Sequence, residues 1–145
     1  MEDSKQNIKK NVKKPLPVLV KAIAIFLVVY GVVGFLYYLS VFVYSFVNPA
    51  FLINLEYFDF KDEGLLFPVI MELLINIMFV ISGILILKRN QQGNIIFYFT
   101  FFVSLFFSYV FLNHFNYIYC CIGLFSMFVL VYYSAQNSKK TEKKT

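Results

Sequence analysis

The chain has 145 residues, 60% of them hydrophobic and only 14% charged, where an average soluble domain is about half apolar and about a quarter charged. This excess excludes an ordinary water-soluble core and points to lipid as the solvent, because long stretches are apolar on every side of a helix. The formal charge of +5 lies mostly in the tails and one short loop beside apolar runs, which assigns it to orientation in a membrane rather than to nucleic acid.

Residues 1–14 form a polar tail carrying Lys5, Lys9, Lys10, Lys13 and Lys14. The first apolar run opens at Pro15 and Pro17, where proline suits the first turn of a helix, and Lys21 is the one charge between Leu16 and Val47. Because the run is roughly twice the apolar region of a secretory signal peptide, it is expected to stay in the membrane as a first span over 16–47. At about 1.5 Å per residue such a helix outruns a hydrocarbon core of about 30 Å, so tilt, a kink or projection is required. Asn48-Pro49 is the expected stop.

In the segment 49–64, Phe51, Leu55 and Phe58 recur at helical spacing while Glu56, Asp59 and Glu63 are polar, the pattern of a short helix lying in the outer interface. A second span follows over 65–87, interrupted by Pro68, Glu72 and Asn76. The inner turn 88–94, with Lys88, Arg89 and Gly93, joins it to an antiparallel third span over 95–112. The outer loop 113–116 holds His114, the fourth span covers 117–133, and a basic tail over 135–145 carries Lys139, Lys140, Lys143 and Lys144.

These readings define one membrane domain over 15–134, an all-α four-helix up-down bundle, since short loops force antiparallel neighbours. Lysine and arginine are retained on the cytoplasmic face. The five lysines before the first span, Lys88 and Arg89 in the inner turn and the four in the last tail stand against Lys61 alone on the other side. Both termini are therefore expected to be cytoplasmic, and the protein a multi-pass component of the cell membrane.

Among candidate functional residues, Glu72 comes first as the acid inside a span, where an ionised side chain costs at least a few kcal/mol unless paired or hydrated. Asn76 lies one turn on, placed to hydrogen-bond Glu72 or a neighbouring helix. His114 at the outer end of the third span would complete a ligand or proton site. The plainer alternative makes Glu72 and Asn76 interhelical glue and His114 a polar loop residue. Gly31 with Gly34, and Ser82 with Gly83, remove bulk from helix faces and are read as packing positions. Ser104 and Ser108, one turn apart, are expected to bond their own preceding carbonyls.

The two cysteines, Cys120 and Cys121, are adjacent in an apolar run and form neither a metal pair nor a disulfide framework. No nucleophile elbow, phosphate-binding glycine loop or zinc-protease motif occurs, so no enzyme, metal or cofactor is expected.

Two stretches carry a resemblance. One is Pro17-Val18-Leu19-Val20-Lys21-Ala22-Ile23-Ala24-Ile25 followed by Gly31 and Gly34; the other is Ile81-Ser82-Gly83-Ile84-Leu85-Ile86-Leu87-Lys88-Arg89 before Gly93. Together they resemble small uncharacterised four-span prokaryotic membrane proteins, in which a basic turn is often followed by Trp-Ala where this chain has Gly93-Asn94. The resemblance covers about a third of the chain and implies the four-span fold without an activity. The function expected first is that of a non-catalytic accessory or structural membrane component, with the lipid bilayer and a second copy or another membrane protein as partners. The alternative is a small oligomeric transporter, channel or hole-forming protein with Glu72 in a polar interior.

Overall fold

A computed structural model describes residues 16–48, 66–111 and 117–142. They form four α-helices: α1, Val18–Val47; α2, Leu66–Leu87; α3, Gln92–Phe111; and α4, Tyr117–Glu142. Each contains a stretch long and apolar enough to cross a membrane. The fold is all-α. The expected interfacial helix over 49–64, the loop 113–116 with His114, and the tail 1–14 lie outside the described residues.

Local chemistry accounts for the helix ends. Pro17 caps α1, and its carbonyl accepts a hydrogen bond from the Lys21 N–H at 3.0 Å, so the ring imposes no loss at a position whose N–H would be unpaired. The α1 helix then continues for 30 residues without a break. Pro68, expected as an interruption, instead sits in the first turn of α2, where helical N–H groups have no intrahelical acceptor.

The α2–α3 turn closes α2 with two backbone bonds, Asn90 N–H to the Leu85 carbonyl and Arg89 N–H to the Ile86 carbonyl, each 2.9 Å. This is the paired bonding of a Schellman cap, and its left-handed position falls on Arg89 at φ 59°, where glycine is usual. Asn90 then accepts the Gln92 N–H on its Oδ1 at 3.0 Å. That bond starts α3 three residues before the expected 95. At the other end of the chain, α4 runs past 133 to Glu142, because residues 134–142 contain neither glycine nor proline to stop it.

Along α1 the buried positions include Val20, Ala24, Leu27, Gly31, Val41 and Ser45, with half-buried Gly34 and Tyr38 between them. Their steps alternate between four and three residues. On α2 the buried set includes Val69, Glu72, Asn76, Phe79, Gly83 and Ile86, again in steps of three and four. A repeat of 3.5 residues is the seam of a coiled coil, and α1 with α2 makes the most extensive helix contact in the fold.

Glycine sets the closeness of that seam. A Cβ on Gly83 would lie 2.7 Å from the Ala24 carbonyl oxygen and 2.7 Å from Val28 Cγ2, and one on Gly31 would lie 2.6 Å from the Asn76 carbonyl oxygen and 2.8 Å from Val80 Cγ2. Each helix thus receives a valine of the other over its own glycine. Gly93 performs the same service between α2 and α3, since a Cβ there would meet the Ile86 nitrogen at 2.7 Å.

Ser82 faces α3 and donates its hydroxyl to the Gly93 carbonyl at 2.9 Å. Its sequence neighbour Gly83 faces α1. Helix α4 makes the least contact with the rest; its close approach is at Gly123, against the buried Phe101 ring.

Candidate functional site

Glu72 and Asn76 occupy consecutive inward positions on α2 and are 8% and 3% exposed. The Asn76 amide donates to the backbone carbonyl of Glu72 at 2.7 Å, the local back-bond open to a short polar side chain in a helix. Its Oδ1 rests against Gly34 of α1, so that glycine makes room for a polar group rather than for a second backbone. The sequence left open whether Asn76 serves Glu72 or a neighbouring helix; it bonds the main chain of the former.

The Glu72 carboxyl itself receives no hydrogen bond from a described residue. Tyr38 lies one turn beyond Gly34 on the α1 seam, on the level of Glu72 in the register that sets Gly34 against Asn76. Sequence reasoning passed over this tyrosine. Periodicity could have found Tyr38, because it falls on the α1 seam.

A second polar contact ties α3 to α4. The Tyr119 hydroxyl donates to Ser104 Oγ at 3.2 Å, which corrects the expectation that Ser104 bonds its own preceding carbonyl. Ser45 and Ser126 do behave that way, donating to the carbonyls of Phe42 and Ile122 at 2.6 and 2.8 Å. Thr100 Oγ1 is buried without a partner among the described residues.

A half-open cavity of about 260 Å³ lies between α4 and the other three helices. Phe26, Tyr30, Phe79, Phe97, Phe101 and Tyr119 line it. Tyr30 stacks on Tyr119 with ring centres 6.0 Å apart and meets Phe79 edge-on at 5.8 Å. Along the α1–α4 seam a more open recess, shared at Phe26, Ile122 and Ser126, continues toward Ala22 and Phe125. Among the described residues no three His, Cys, Asp or Glu side chains cluster as metal ligands, and Cys120 and Cys121 are free thiols.

Among the described residues, fold and site together define four long apolar helices with a buried acid, Glu72, and an aromatic-lined cavity. Comparison with protein-family models, curated proteins and solved structures finds no match.

Proposed function

We propose that this chain is a non-catalytic accessory or structural component of the cell membrane, crossing the bilayer as an up-down-up-down bundle with both termini cytoplasmic. The observation that carries this reading is the way its buried polar groups are bonded. Asn76 and Ser126 bond carbonyls of their own helices, while Ser82 and Ser104 each link one adjacent pair. A conducting path needs polar groups left facing a wet interior, and this pattern ties most of them into helix packing.

Support for the arrangement comes from the register. Ala24 meets Gly83, Gly31 meets Val80 and Gly34 meets Asn76, so rising numbers on α1 meet falling numbers on α2. Likewise Tyr30 faces Tyr119 while Phe26 shares the cavity wall with Ile122. Lys21 is thereby levelled with Lys88 and Arg89, and all three belong to the face that positive charge marks as cytoplasmic. Basic tails on that face suit anionic lipid or a cytoplasmic partner. Reporter fusions at each end should both read cytoplasmic; an external signal from either would overturn the orientation.

The second reading, an oligomeric channel or transporter, draws on Glu72, a buried acid whose carboxyl receives no hydrogen bond from a described residue. Leakage separates the two. Liposomes holding the purified protein, and those holding its Glu72→Gln variant, should keep an imposed proton or ion gradient as long as empty liposomes do. A leak that Glu72→Gln abolishes would replace the accessory reading with a conducting oligomer.

A further inference from the structure

We propose that the end of the α1–α2 pair carrying Lys21 and Lys88 is a binding site for one anionic phospholipid. The two lysines hold its phosphate, and its acyl chains lie outward along the apolar flank of the two helices. The site rests on the reading that the bundle spans a bilayer, but not on which face is cytoplasmic.

Packing fixes the flank. Val28 Cγ2 lies over Gly83 and Val80 Cγ2 over Gly31, so both valines edge the seam between α1 and α2. Two residues from them, and therefore on the opposite side of each helix, Phe26 turns to α4 and Ser82 to α3. Because α3 and α4 also touch each other, they cover one side of the pair and leave the valine side open. Lys21 stands two turns before Val28 and Lys88 two turns beyond Val80, which puts both lysines on that open side. The register that sets Ala24 against Gly83 brings them to one level, and both are exposed.

Charge and position select the occupant. Arg89 follows Lys88 directly, and among the described residues of α1, α2 and α3 the single acid is Glu72. It lies more than four turns of α2 away, so no carboxylate of these helices neutralises the cations. Outward from the lysines the same flank carries Val28, Val32, Ile77 and Ile84, the last three exposed. A free phosphate or an acidic peptide would use the cations alone, whereas an anionic phospholipid uses the cations and the apolar lane together. Lysine and arginine at a membrane surface attract such lipids. A zwitterionic lipid fits the lane but brings a cation of its own to the lysines.

Native mass spectrometry of the full chain released from detergent micelles tests the site, with dioleoylphosphatidylglycerol, dioleoylphosphatidylcholine and glycerol 3-phosphate as probes. Phosphatidylglycerol should bind saturably, phosphatidylcholine should not, and glycerol 3-phosphate should not displace the bound lipid. Lys21→Gln combined with Lys88→Gln should weaken phosphatidylglycerol about 25-fold, roughly fivefold for each lysine. Lys139→Gln combined with Lys140→Gln removes the same charge from the end of α4 and should leave the affinity unchanged. Equal binding of the two lipids, unchanged affinity without Lys21 and Lys88, an equal loss without Lys139 and Lys140, or displacement by glycerol 3-phosphate would each overturn the proposal. Such a failure leaves the spanning reading intact. A chain that stays monodisperse without detergent would overturn that reading, and this site with it.

Discussion

Gly83→Ala is expected to destabilise the protein by about 1–3 kcal/mol, the usual range for forcing extra methyl groups into packed space. The new methyl would meet the Ala24 carbonyl oxygen and Val28 Cγ2, both at 2.7 Å. A side chain could rotate away, but the carbonyl belongs to the hydrogen-bonded spine of α1 and moves only if the helix does. Between helices in lipid, association depends on close van der Waals approach because no hydrophobic effect presses them together. Separating α1 from α2 by even a few tenths of an ångström therefore weakens the largest contact in the fold.

Equilibrium unfolding in mixed micelles measures this cost. Combining the change with Val28→Ala should recover part of the loss, since one of the two obstructing atoms is then gone; the remainder belongs to the Ala24 carbonyl. Stability within about 0.5 kcal/mol of the parent, the range of an ordinary surface substitution, would mean that the two helices do not pack as closely as the glycines allow.

Glu72→Met is expected to raise stability by about 1–3 kcal/mol, the amount that a buried polar group without a hydrogen bond typically costs in proteins. The side chain is 8% exposed and no described residue hydrogen-bonds its carboxyl. Methionine has similar length and adapts to irregular space. The Asn76 bond survives the change because its acceptor is the main-chain carbonyl of residue 72. The same unfolding experiment reads the result. A loss of stability would show that the carboxyl has a partner beyond the described residues, and would move Glu72 from a tolerated group to a ligand in an assembly.

The amino-acid sequence by itself determined that the protein has four apolar helices and roughly where each begins and ends. Those properties follow from runs of local hydropathy and from capping chemistry within a few residues. Its errors were also local in kind: Pro68 reads as an interruption until its place in a first turn is known, and the fourth helix reads as ending at 133 although nothing over 134–142 stops it.

Partner choice was not legible, because in long helices with apolar residues on every side no polar face marks the inward direction. Ser82 and Gly83 show the consequence, since adjacent residues read as one small-residue patch serve different neighbours, α3 and α1. Tyr30 and Tyr119 lie 89 positions apart in the chain, and only the packing of α4 stacks them beside a cavity. Hydropathy is a property of each segment, whereas a seam, a hydrogen bond between helices and a cavity belong to pairs of segments; the tertiary structure decided those.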